Sequence, residues 1–299
     1  MNYYIGIDIG GTNLRASILD EKYNIIDKFK MENRVNLGPE VNIRNLCNEI
    51  KNRWLQYKII SIGVASPGPL NLKEGIIINP PNLIGWENFH IKKFIGDYFD
   101  LPIVINNDAN VAGYSEAKIG VGKNAESVYY ITLSTGVGGG FIYKGEIVNG
   151  FNSVAAELNN MIINEDTYSH SGLNKGGVEG QCSGVSIARI ATERLNKKMS
   201  TKDVFKLAKE GNRECKEILN QWVINISKAI ANIIVTVDPE IIVLGGSVIL
   251  HNQEYLEVIT NQVRKFVFPG LNVNIKLAKI GDDTGLLGSG ILAASLSYR

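Results

Sequence analysis

Apolar residues fall along this chain in short runs separated by amphipathic stretches, and the runs repeatedly stop at glycine. Residues 3–8 form a run rich in β-formers that ends at Gly10-Gly11. Two further runs, 14–19 and 25–29, flank the polar turn 20–24, so the chain opens as a strand meander. Over residues 40–54, Val41, Ile43, Leu46, Cys47, Ile50 and Trp54 recur at helical spacing. Residues 59–65 then read as a buried strand closed by Ser66-Pro67-Gly68-Pro69, and 101–105 as another that leads into Asn106.

The second half repeats this order. Residues 128–133 predict a strand ending in the glycine-rich stretch Ser134 to Gly140, with a hairpin of 141–143 and 146–148 across Lys144-Gly145. A long amphipathic helix is predicted over 214–237, with Ile218, Leu219, Trp222, Ile226, Ala229, Ile230 and Ile233 on one face. Asp238-Pro239 stops it, 241–244 is a strand running into Gly245-Gly246, and Asp283-Thr284 is placed to cap a last helix through Ala294. The pattern predicts two α/β halves without a linker.

Composition narrows the function classes. The 299 residues carry 31 Lys+Arg against 30 Asp+Glu, a net charge of +1, which argues against nucleic acid as a partner. No apolar run approaches the roughly 18 residues of a membrane span. Cys47, Cys182 and Cys215 are odd in number and scattered, which fits a reduced, cytoplasmic compartment.

Three glycine turns each follow a strand: Asp8-Ile9-Gly10-Gly11-Thr12-Asn13, Ser134 to Gly140, and Gly245-Gly246-Ser247. Glycine lets backbone N–H groups approach a phosphate closely, although one such turn alone is equally ordinary punctuation. None fits the dinucleotide or Walker pattern. Asp8 beside the first turn makes sense with Mg²⁺ between carboxylate and phosphate, or as a carboxylate that stabilises the turn. Asp108, in Asn106-Asn107-Asp108-Ala109-Asn110, reads either as a helix N-cap or as a base that takes a proton from an alcohol.

These residues resemble the ROK family (repressors, open reading frames and kinases). The resemblance rests on the first glycine turn, Pro81-Asn82-Leu83-Ile84-Gly85-Trp86, Asn107-Asp108-Ala109-Asn110, Ser134 to Gly140, Ala156-Glu157, Asn174 to Gly176 with Glu179, Ser183-Gly184 and Leu244-Gly245-Gly246. It implies an α/β, two-domain, actin-like ATPase fold of ribonuclease-H-like topology, with ATP and sugar in the interdomain cleft. Residues 1–108 plus a terminal helix at about 285–299 would form the smaller domain, and 109–284 the larger.

By resemblance, Asp108 is the catalytic base and Asn82, Asn107, Glu157, Asn160 and Glu179 meet the sugar. Asp8, Gly10, Gly11, Thr12, Asn13, Thr135 and Gly136 would face the phosphates and the ATP-borne Mg²⁺, with Gly245 and Gly246 near the adenosine. A homodimer is implied as well.

Many relatives carry zinc on a Glu-x-Gly-His motif and a Cys-rich loop. Here the aligned positions hold Asn160, His170, Gly172 and Gly177, so zinc is not expected. The expected activity is phosphorylation of a hexose or amino sugar, glucokinase-like, with N-acetylmannosamine as the competing substrate. A sugar-binding sensor or regulator of the same family is the non-enzymatic alternative. Against the repressor form, the phosphate motif begins already at Asp8.

Overall fold

The computed structural model describes residues 1–298. In chain order the elements are β1 (Tyr3–Ile9), β2 (Asn13–Leu19), β3 (Ile25–Glu32), α1 (Gly38–Trp54), β4 (Ile59–Ser66), the two-residue strands β5 (Leu70–Asn71) and β6 (Ile76–Ile77), α2 (Ile91–Phe99), β7 (Ile103–Asn107) and α3 (Asp108–Lys118). There follow β8 (Ser127–Leu133), β9 (Val137–Tyr143), β10 (Glu146–Ile147), α4 (Val178–Cys182), α5 (Gly184–Leu195), α6 (Thr201–Lys209), α7 (Arg213–Val237), β11 (Ile241–Gly245), α8 (Ser247–Leu250), α9 (Tyr255–Arg264), β12 (Ile275–Leu277) and α10 (Thr284–Ser295).

The two five-stranded sheets repeat one topology, β3-β2-β1-β4-β7 and β10-β9-β8-β11-β12. In each, the first strand pairs antiparallel with its hairpin partner on one side and parallel with a later strand on the other. The chain divides into two compact units: Met1–Gly120 with Glu146–Ala155 and Ile280–Arg299, and Val121–Gly145 with Ala156–Lys279. Of the terminal helix expected to run to 299, Arg299 lies outside the described residues.

The first unit packs α1 and α2 on its sheet through Ile43, Leu46, Ile50, Trp54, Ile91 and Ile95, which close over Ile5, Ile7, Ile62 and Val64. Val41, counted on the apolar face from sequence, is 40% exposed. The sheet's other face receives α10 so closely that a Cβ on Gly63 would stand 2.9 Å from the Ala293 amide nitrogen. That approach brings the C-terminal helix onto β1 and β4. The predicted cap of α10 is not made: Asp283 gives it no side-chain bond and instead pairs with Lys28 at 2.6 Å.

In the second unit α7 is the central helix, burying Ile218, Leu219, Trp222, Ile226, Ile230 and Ile233 with Ile131, Leu133 and Leu244 from the sheet. Contrary to the expectation that no apolar stretch is long enough, α7 could cross a membrane by length and composition, since Asn225, Ser227, Lys228 and Asn232 interrupt its apolar residues without outweighing them. In the structure 67% of its 18-residue apolar window is buried, as in the core helix of a globular unit.

Several strand boundaries differ from the sequence reading: the strand read at 101–105 is Ile103–Asn107, and the one read at 146–148 is Glu146–Ile147. β3 continues to Glu32, because Phe29-Lys30-Met31-Glu32 keeps alternating apolar and polar positions. β9 begins at Val137, so Gly138, Gly139 and Gly140 are strand, not turn. A Cβ on Gly139 would lie 2.6 Å from Leu158 Cδ2, so close packing, not turn geometry, demands glycine there. The three cysteines are buried and unbridged, and burial pushes the Cys47 thiol up to about 12.

Candidate active site

In the first unit the candidates gather at the carboxyl ends of three parallel strands. Register aligns Asp8 on β1 with Ala65 on β4, and Ala65 with Asn106 on β7. Ligand sites of open α/β sheets form at this edge. Beyond β1 the glycine turn is closed by the Gly10 N–H to the Asn13 carbonyl, 2.9 Å. Asn33 clamps it from outside, donating Nδ2 to the Gly10 carbonyl at 2.8 Å and its backbone N–H to Thr12 at 2.8 Å. Thr12 is exposed. Asn82 adjoins the turn through its backbone: its carbonyl oxygen lies 3.0 Å from where a Gly11 Cβ would be.

Asp8 does not stand alone. Arg15 Nε donates to Asp8 Oδ2 at 2.9 Å, Nη2 bonds the same oxygen, and Nη1 donates to the Asp282 carbonyl at 2.8 Å. The β1–β2 register sets Asp8 directly opposite Arg15, a cross-strand relation the sequence reading passed over. Both arginine bonds fall on Oδ2 rather than Oδ1. One carboxylate beside a backbone cradle fits Mg²⁺ carried on nucleotide phosphates, which needs few protein ligands. Among the described residues no group of three or more His, Cys, Asp or Glu could hold a metal by itself.

The two readings of Asp108 separate in the structure. The N-cap of α3 is Asn107, whose Oδ1 accepts the Ala109 N–H at 2.9 Å, while Asp108 is the first helical residue. Asp108 also bonds the Ala109 N–H through Oδ1 at 2.8 Å and is exposed. Asn106 braces this corner with bonds to Asn149 at 2.8 Å and to the Asn107 N–H at 2.8 Å.

In the second unit three turns converge. The Ser134 N–H donates to the Gly136 carbonyl at 2.9 Å, and the Gly184 N–H to the Ser134 carbonyl at 2.7 Å. Ser134 Oγ and Ser247 Oγ stand 3.3 Å apart, which places Gly245-Gly246 beside the Ser134 turn. Gly246 has φ +86°, and a Cβ there would press on the Leu133 backbone, so this glycine pair is also required by packing. Thr135 is exposed at the tip.

Glu179, in the first turn of α4, reaches this turn: its Oε2 accepts the Val137 N–H at 2.8 Å. A Cβ on Gly136 would lie 2.6 Å from that oxygen, so the carboxylate needs glycine at 136. Glu157 is raised above the ordinary carboxylate range, first by burial and then by the charge of Glu179. Asn160 is occupied in holding its own loop, its Oδ1 accepting the Asn174 N–H at 2.6 Å and its carbonyl the Asn174 Nδ2 at 3.2 Å. His170 stands 3.7 Å from Glu179 Oε1.

Known proteins resemble the chain over its length. A glucokinase of Halalkalibacterium halodurans is 28% identical, the match covering 97% of this chain and 94% of the relative. An N-acetylmannosamine kinase of Escherichia coli O157:H7 is 29% identical over 97% of both chains. The crystal structure of a ROK hexokinase from Thermus thermophilus is similar with TM-score 0.92 at 26% identity, covering 99% of each chain. The fold is accordingly the two-domain, actin-like ATPase fold of those kinases. Residues 4–295 match the ROK family, and the chain belongs to it.

Proposed function

We propose that this protein transfers the γ-phosphoryl group of ATP to a hydroxyl of a hexose or amino sugar, with Asp108 as the general base. The observation that supports the reading is the place of Asp108 at the start of α3: Asn107 is the N-cap, and Asp108, the first helical residue, is exposed although its Oδ1 shares the Ala109 N–H. An exposed carboxylate at the carboxyl edge of the parallel strands is suited to accept a proton from an alcohol.

Asn82, Asn107, Glu157 and Glu179 are the groups proposed to grip sugar hydroxyls. Asn160 is the weakest member of that set, because its side-chain oxygen already serves Asn174. The Gly10–Asn13 and Ser134–Gly136 turns supply N–H groups and the Thr12 and Thr135 hydroxyls for the phosphates, and Gly245-Gly246 the nucleotide side. Asp8, steadied by Arg15, is the residue proposed to organise Mg²⁺. When bound with ATP, Mg²⁺ supplies counter-charge to the β- and γ-phosphates.

Relatives named for glucose and for N-acetylmannosamine stand at nearly equal identity, 28% and 29%. A panel of both sugars with ATP, read as ADP release, decides between them. Stoichiometric turnover with either supports the proposal. Sugar binding without turnover would favour a sensor of the family instead.

A further inference from the structure

Glu179 is fixed at its root and at one oxygen. Its carbonyl accepts the Ser186 hydroxyl at 2.8 Å, and its Oε2 takes the Val137 N–H at 2.8 Å. The other oxygen, Oε1, faces His170, whose Nε2 is 3.7 Å away. His170 lies outside any helix or strand, so its place must be set by neighbours. The Tyr168 ring is one, 5.5 Å between centroids. Tyr168 in turn lies over α4, where a Cβ on Gly180 would be 3.5 Å from its Cδ1, and on the Arg189 guanidinium, 3.5 Å from Cζ to the ring centroid.

Arg189 is anchored at both ends of its fork, Nη2 to the Gly180 carbonyl at 3.2 Å and Nη1 to Glu193 at 3.0 Å. Its Nε is buried without a hydrogen-bond partner. Leaving a charged group's donor unpaired is unfavourable, and here the guanidinium carbon lies 3.5 Å from the centroid of an aromatic ring, a cation–π contact that offsets the loss. The result is a continuous stack from α5 through Tyr168 to His170 and the Glu179 carboxylate.

We infer that Arg189, Tyr168 and His170 are positioning residues that aim the Glu179 carboxylate, and so set sugar affinity without acting on the transferred phosphate. The inference rests on the proposed role of Glu179 in gripping sugar. It separates two classes of effect: the stack ends at Oε1, the oxygen not engaged by Val137, whereas the bond from the Val137 N–H to Oε2 joins Glu179 to the Ser134 turn.

The test uses His170→Ala and Tyr168→Ala in the full chain, with glucose and N-acetylmannosamine as probes. Each variant should raise KM for the phosphorylated sugar about 3- to 10-fold, the worth of a partly exposed polar or ring contact, while KM for ATP and kcat stay within about twofold. Tyr168→Phe keeps the ring on the guanidinium and should recover most of the loss. An unchanged sugar KM in folded His170→Ala overturns the inference, and so does an equal rise in KM for ATP, which would mark a general loosening of the loop. Should Tyr168→Ala fail to fold, the partly exposed His170 decides alone. Wild-type protein that phosphorylates neither sugar sinks the kinase reading instead. Calorimetry of the same sugars without ATP then decides the stack: weakened binding in His170→Ala supports it, while unweakened binding, or none to the wild type, overturns it.

Discussion

Asp108 and Glu157 are both proposed to work as carboxylates, yet one is exposed and the other largely enclosed. Asp108 is exposed as the first residue of α3, within reach of a substrate hydroxyl in the proposed reading. Asp108→Asn should therefore leave sugar binding intact while kcat falls about 10²–10⁴-fold, the usual worth of a general base. Near-normal turnover in the folded variant would refute the assignment.

Glu157 carries its charge against burial and against Glu179, so its folded pKa is raised. The native state then holds this proton more tightly than the unfolded chain does. The cost of the charge is present at neutral pH and is relieved as pH falls through the raised value. Glu157→Gln should accordingly raise Tm at pH 7–8, by an amount that shrinks toward pH 4, while sugar KM rises. Thermal scans across that range check it; a lowered Tm at pH 8 would show that the charge is compensated.

At this scale the motifs were legible because they are contiguous. Arg15 was not, because its link to Asp8 exists only through the β1–β2 register. The stack under His170 was equally hidden, since Arg189 arrives from a helix with no local signature.

Elements were read well where one face alone decides them. Helix α7 was expected over 214–237 and spans Arg213–Val237, because its apolar stripe is long and its end is set by Asp238-Pro239. Glycines were read less well, since a missing side chain says that something is close without saying what. The Gly138–Gly140 run looked like a phosphate loop and is a strand whose Gly139 lies against Leu158. Gly63 drew no notice, yet it admits α10 to the sheet. Gly63→Ala would press a methyl group on the backbone of Ser289 and Ala293. It should cost about 1–3 kcal/mol, as overpacking does, measured by urea unfolding. A variant as stable as the wild type would mean that α10 shifts freely on β4.

The whole molecule repeats one sheet topology twice, which the recurring order of runs already announced. Its loop around 160–177 is held by the Asn160–Asn174 bonds and the Tyr168–Arg189 contact. Purified protein should thus contain no stoichiometric zinc, and a zinc-selective chelator should leave fold and activity unchanged. Removing Mg²⁺ should abolish turnover, because the β- and γ-phosphates lose their counter-charge. About one zinc per chain by elemental analysis would overturn the first expectation, and full turnover in excess EDTA the second. What the sequence by itself determined was the α/β class, the order of elements and the motifs that mark the family, since hydrophobic period and turn chemistry are local properties of neighbouring residues. Only the tertiary structure decided that Asn107 rather than Asp108 caps α3, that Arg15 holds Asp8, and that Asn160 serves its loop. Each of those outcomes depends on which of several competing hydrogen-bond partners the folded backbone brings within about 3 Å, a distance that sequence spacing does not encode.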